Sequence, residues 1–93
     1  MDEATFMKLI YCKKCHDVFK LDHELRYCKC YSCWGLYLDD GLNAVYKGRC
    51  AVPLGFANST LVEAVHNQPK EGMGEEFTAF VIPKKCPTMK RKR

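Results

Sequence analysis

Short apolar runs in the first half of the chain alternate with polar segments that contain cysteine. Residues 6–11 are mainly apolar and predict a strand that leads into Cys12, and residues 18–21 predict the strand that returns from it. Residues 25–27 and 36–38 predict a second pair of strands around a second turn. Two hairpins with cysteine-containing turns are therefore expected.

The pattern after the second hairpin predicts two further strands and one short helix. Residues 42–47 are expected to form a strand that ends at Gly48. The segment from Thr60 to Glu63 fits a capping box, so a helix of about two turns is predicted to begin there. Residues 77–82 are apolar on both faces and predict the last strand. These elements indicate a small α+β domain.

The length and composition are those of one small globular domain. The chain has 93 residues, of which 47% are hydrophobic and 28% are charged, and these values exclude a disordered, collagen-like or coiled-coil protein. We expect a single domain over residues 1–83. Residues 84–93 hold six basic side chains and no acidic one, and they predict a flexible basic tail.

The charge distribution and the apolar runs predict a cytoplasmic protein. Residues 1–83 carry nine basic and eleven acidic side chains, so the positive charge is concentrated in the tail. The first residues are acidic where a secretory signal is basic, and the apolar runs are far shorter than a membrane span. In a reducing cytosol, clustered cysteines bind metal more often than they form disulfides.

Four of the seven cysteines form two pairs with the spacing of a metal site. Cys12 and Cys15 are separated by two residues, and so are Cys30 and Cys33. This spacing lets both sulfurs of a pair turn toward one ion, and four thiolates complete a closed tetrahedron around Zn²⁺. One structural zinc ion is therefore predicted.

The identity of the fourth ligand is left open by Cys28. Cys12, Cys15 and Phe19 recur 18 residues later as Cys30, Cys33 and Tyr37, and this repeat favours Cys33. Cys28 and Cys30 form a Cys-x-Cys pair that provides an alternative, with Cys28 as the fourth ligand.

The two cysteine pairs and their hairpins resemble the zinc-ribbon superfamily, whose members hold one zinc between two cysteine turns called knuckles. The resemblance covers a ribbon core over residues 9–38 and implies a fold and a metal, but no activity. The whole chain also looks like small zinc-ribbon proteins of bacteria and their phages, which suggests an accessory protein. It departs from the usual pattern because His16 and Trp34, and not glycine, follow the second cysteine of each knuckle.

Three groups of side chains outside the cysteines are candidates for binding a partner. They are Tyr31 and Trp34 at the second knuckle, Asn58, Ser59 and Thr60 in a predicted loop over residues 55–60, and Arg91 and Arg93 in the basic tail. Exposed aromatic rings recognise proteins or stack on nucleic-acid bases. A loop at a helix N-terminus can hold an anion, and a basic tail is attracted to phosphates.

These features predict a non-catalytic module. A four-cysteine site has no open position for water, and no catalytic pair involving a histidine is indicated. The first hypothesis is a zinc-binding interaction module that binds another protein and regulates it. The alternatives are nucleic-acid binding through the knuckles and the tail, and binding of a small anion such as a nucleotide at residues 55–60.

Overall fold

The computed structural model describes residues 6–92, which form strands in two sheets and one short helix. In chain order, the strands are β1 Phe6–Cys12, β2 Val18–Lys20, β3 Arg26–Tyr27, β4 Trp34–Tyr37, β5 Ala44–Lys47, β6 Ala51–Ala57, β7 Ala79–Val81 and β8 Met89–Arg91, and helix α1 is Asn58–His66. This arrangement confirms the predicted α+β class. Strand β7 is shorter than the predicted segment 77–82.

Each sheet has four strands. The first has the order β2-β1-β6-β7 and is antiparallel throughout, with β1 and β6 paired along their whole length. The second has the order β3-β4-β5-β8, in which β3, β4 and β5 are antiparallel neighbours and β8 pairs with β5 in parallel. The two predicted hairpins are therefore split between the sheets, since β1–β2 belongs to the first and β3–β4 to the second.

The core lies between the two sheets. Ile10 of β1 and Leu21 are almost completely buried. Gly35 of β4 faces both of them: a Cβ atom there would lie 2.7 Å from Leu21 Cδ2 and 3.4 Å from Ile10 Cγ1. The absence of a side chain at Gly35 therefore lets the second sheet approach the first closely.

A buried lysine connects the sheets. Lys8 of β1 is only 1% exposed, and its Nζ donates a hydrogen bond of 2.7 Å to the carbonyl oxygen of Leu42. The ammonium also lies 4.9 Å from the ring centroid of Phe6 and 5.5 Å from that of Tyr37, within the range of a cation–π interaction. The hydrogen bond and the aromatic faces compensate for the burial of this charge.

The start of the helix differs from the prediction. Helix α1 begins at Asn58, directly after β6, and its N-cap residue, Ala57, makes no side-chain cap. The Thr60 hydroxyl donates to the carbonyl of Ala57 at 2.9 Å and accepts from the N–H of Thr78 at 2.9 Å. The predicted capping box is therefore wrong. The predicted loop over residues 55–60 is also wrong, because these residues complete β6 and the first helical turn.

The basic C-terminal segment contains a strand. Met89 is 1% exposed and pairs with Ala44, and the N–H of Lys92 donates to the carbonyl of Tyr46 at 2.6 Å. The prediction of a flexible tail over residues 84–93 is corrected for Met89–Arg91, because the apolar side chain of Met89 anchors this segment in the core.

Candidate metal centre

Four cysteine sulfurs lie close together beside the ends of both hairpins. The Sγ atoms of Cys12, Cys15, Cys28 and Cys30 all lie within 4.8 Å of one another. The distance is 3.8 Å from Cys12 to Cys30 and 3.5 Å from Cys28 to Cys30. A tetrahedral zinc with Zn–S bonds of about 2.3 Å would set its sulfurs about 3.8 Å apart. The four side chains are therefore positioned to bind one metal ion.

The first turn carries Cys12 and Cys15 and is closed by backbone hydrogen bonds. The N–H of His16 donates to the carbonyl of Cys12 at 2.8 Å, and the N–H of Cys15 points at the sulfur of Cys12 at 3.4 Å. His16 has a φ of 63°, a left-handed conformation that glycine adopts at lower cost. Its Nδ1 atom lies 2.6 Å from the hydroxyl of Tyr11, a hydrogen bond that holds the histidine in place.

The second turn has the same design with one residue fewer between its cysteines. The N–H of Tyr31 donates to the carbonyl of Cys28 at 3.0 Å, and the N–H of Cys28 donates to the carbonyl of Cys33 at 3.1 Å. Tyr31 has a φ of 61° and directly follows Cys30. The left-handed residue therefore follows Cys30, and the turn is built around the Cys28-x-Cys30 pair.

Cys33 lies outside this group of four. The repeat in the sequence favours Cys33 as the fourth ligand and leaves Cys28 as the alternative, and the structure brings Cys28 into the group. Cys33 immediately precedes β4, is 1% exposed, and packs against Gly48. A Cβ atom on Gly48 would lie 2.5 Å from the Cβ of Cys33.

The two alternatives for the fourth ligand, Cys28 and Cys33, differ in the direction of their pKa shifts, although within the group of four burial also raises the pKa of Cys15. The N–H of Cys15 lowers the pKa of Cys12 to about 7. Burial alone would raise the pKa of Cys28, but hydrogen bonds from the backbone of Cys33 and from neighbouring side chains lower it to about 5. Burial, together with the nearby sulfur of Cys28, raises the pKa of Cys33. Cys28 is thus the better thiolate, and Cys33 is the more stable neutral thiol.

Two polar side chains near the cysteines were not singled out in the sequence. A carboxylate oxygen of Asp17 accepts the N–H of Lys29 at 3.1 Å and so links the first turn to the second. The hydroxyl of Ser32 lies 2.9 Å from the sulfur of Cys30. Neither residue has a motif that identifies it: the contact of Asp17 depends on how the two turns meet, and that of Ser32 on the backbone of the second turn.

The other predicted binding residues are dispersed. Tyr31 is 74% exposed beside the cysteine group, whereas Trp34 is half-buried on β4. Asn58, Ser59 and Thr60 form the first turn of α1, and Arg91 lies on β8. Arg93 lies outside the described residues.

Comparison of the chain with protein-family models, with curated proteins and with solved structures gave no match. Within residues 6–92, no helix has the length and apolar character needed to span a bilayer.

Proposed function

We propose that this protein is a small, non-catalytic interaction module in which one structural Zn²⁺ joins two β-hairpins, as in a zinc ribbon. The observation that carries the proposal is the convergence of four cysteine sulfurs within 4.8 Å. Cys12 ends β1 and Cys15 lies in the turn that follows, while Cys28 and Cys30 lie in the turn after β3, so one ion would link the first sheet to the second. Structural zinc of this kind contributes on the order of 10–16 kcal/mol, as much as the whole net stability of a small domain.

The donor set supports zinc as the metal and a structural role for it. Tetrahedral sites of four thiolates hold zinc or iron, and zinc has no redox chemistry of its own. A fourth protein ligand leaves no coordination position for water, which a catalytic zinc requires.

His16, which directly follows Cys15, is hydrogen-bonded to the hydroxyl of Tyr11, and we assign it a structural role in the first turn.

Metal analysis of the purified protein tests this proposal. We expect about one zinc per chain, and we expect a strong chelator to abolish the β-sheet circular dichroism and the cooperative melting transition. Cys50→Ala provides the control, because Cys50 is half-buried and lies outside the group of four. That variant should retain one zinc. A zinc-free protein with an unchanged melting curve would contradict the proposal. Visible absorbance from thiolate-bound iron would show that the metal is iron and not zinc.

Of the three partner classes suggested by the sequence, nucleic acid receives the most specific support. The basic residues near the C-terminus line a cleft against the second sheet. The protein-partner hypothesis has in its favour two exposed valines on α1, Val62 and Val65, without any feature that defines the partner. The hypothesis that a small anion binds is weakened, because the loop predicted to hold the anion is part of β6 and α1. In addition, the Thr60 hydroxyl already has two hydrogen-bond partners. We therefore favour a nucleic-acid-binding module.

A further inference from the structure

A row of side chains crosses the outer face of the second sheet. Tyr27 of β3, Trp34 of β4 and Lys47 of β5 are direct cross-strand partners, so they share one face of the sheet. That face is directed away from the core, because Gly35, the next residue on β4, faces the core. Tyr31 extends the row toward the cysteine group, since its ring centroid lies 5.4 Å from that of Tyr27. The face thus presents three aromatic rings followed by a lysine.

A basic cleft lies at the β8 edge of the same sheet. It has a volume of about 1020 Å³, and none of the residues that line it is acidic. Seven of its eleven lining residues are basic, and those besides Arg91 are Lys47, Arg49, Lys84, Lys85, Lys90 and Lys92. Such a concentration of positive charge attracts a polyanion, and it is built from folded chain between the end of β5 and residue 92.

The aromatic row and the cleft form one continuous surface. Lys47 belongs to both, and the guanidinium of Arg91 donates to the carbonyl of Gly48 at 3.3 Å. On its other side, Gly48 packs against Ser32 and Cys33 of the second turn. The position of the cleft is therefore linked to the turn that carries two of the metal ligands.

We infer that this surface, from Tyr31 across Tyr27, Trp34 and Lys47 to the cleft at β8, binds single-stranded nucleic acid. Aromatic rings stack on unpaired bases with little preference for sequence, while lysine and arginine neutralise the phosphates. Charge complementarity favours nucleic acid over a protein with a mixed surface. The exposed rings favour a single strand, because the bases of a duplex are already stacked on one another. The inference rests on the proposed function in one respect, since the metal is expected to hold the second turn in place.

Fluorescence anisotropy with the zinc-loaded full chain and a labelled oligothymidylate of about 15 nucleotides tests the inference. Combined Tyr27→Ala and Tyr31→Ala substitutions should weaken binding about tenfold or more, because each ring loses a stacked base. Combined Lys47→Ala and Lys90→Ala substitutions should also weaken binding and should lower the slope of log K against log salt by about 1.4. Both lysines are exposed, so the second variant keeps the test informative if the tyrosine variant does not fold.

The control variant carries Lys20→Ala and Lys70→Ala, which remove the same charge from exposed positions outside the surface. We expect it to bind within about twofold of the unmodified protein. An equal loss in this control, duplex binding as tight as single-strand binding, or no binding at low salt would each overturn the inference. Zinc content and circular dichroism measured on every sample separate the two proposals. A folded, zinc-loaded protein that does not bind would refute the inference and the preference for nucleic acid as the partner, and it would leave the proposed zinc site standing.

Discussion

The two cysteine turns each contribute two sulfurs to the group of four, but they do so with different sequences. In the first, two residues separate Cys12 from Cys15, and in the second one residue separates Cys28 from Cys30. In both, the residue after the second cysteine has a left-handed backbone, with φ of 63° at His16 and 61° at Tyr31. The shared feature of the two turns is thus the backbone conformation that follows the second sulfur, and not the spacing between the sulfurs.

The turns also differ in their support from the connection between β5 and β6. The first turn receives a hydrogen bond, in which the N–H of Lys13 donates to the carbonyl of Cys50 at 2.8 Å. The second is supported by close packing of Cys33 against Gly48. A backbone hydrogen bond tolerates most changes of side chain, whereas a contact with glycine does not. The second turn should therefore be the more sensitive to substitution.

The largest effect is expected from removing Cys28, in comparison with removing Cys33. Cys28→Ala should abolish stoichiometric zinc binding and leave the chain largely unfolded, because three thiolates do not complete the site. Cys33→Ala should retain one zinc per chain and should lower the free energy of unfolding by only about 1 kcal/mol, as expected for a small buried side chain. The zinc stoichiometry and the thermal melting of the Cys28→Ala and Cys33→Ala variants are measured and compared. The reverse result would identify Cys33 as the ligand and would restore the 18-residue repeat as the correct guide.

A smaller but clear effect is expected at Gly48. Gly48→Ala should lower the free energy of unfolding by at least about 2 kcal/mol, because a Cβ atom there meets Cys33 and Ser32 in a backbone with φ of 128°. Gly72→Ala is the matched control: its φ is 105°, and a Cβ atom would meet nothing within 4 Å. Denaturant unfolding of both variants separates steric overlap from backbone strain. Equal losses would mean that the contact with the second turn contributes little.

The smallest effect concerns the left-handed residue itself. Tyr31→Val should be less stable than Tyr31→Gly by about 1–2 kcal/mol, because a β-branched side chain is poorly tolerated at positive φ. Both variants lose the contact with the Tyr27 ring, so their difference reports the backbone alone. The same exchange at Lys29, which has no left-handed backbone, is the control and should not favour glycine. A preference for valine at position 31 would contradict the proposed equivalence of the two turns.

Much of the local structure could be predicted from short segments. The apolar runs before and after Cys12 and Cys15 correspond to β1 and β2, and the segment 42–47 contains β5. The pattern of apolar and polar residues along a short segment indicates a strand by itself, so this prediction requires no knowledge of the fold. The helix was predicted in the right region but with the wrong start, since α1 begins directly after β6. The Thr60 hydroxyl does not act as the predicted cap, because it bonds Ala57 and the distant Thr78.

The metal centre was only partly predictable for a related reason. Cysteine spacing indicated that the thiolates of the two turns would meet, and it left Cys28 and Cys33 as alternatives. The left-handed backbone of Tyr31 and the packing of Cys33 against Gly48 separate these two cysteines, and no local pattern contains either fact.

The sequence by itself determined the α+β class and the elements with a clear hydrophobic period, together with the expectation of a metal held by cysteines from two turns. Only the tertiary structure decided which cysteine completes the group and that the basic segment near the C-terminus becomes a strand. Met89 lies in a segment whose many charges are typical of a solvated tail, yet its side chain is buried once β8 pairs with β5. The physical reason is that local patterns record only interactions between neighbours in the chain, while burial and ligand choice depend on contacts between distant segments.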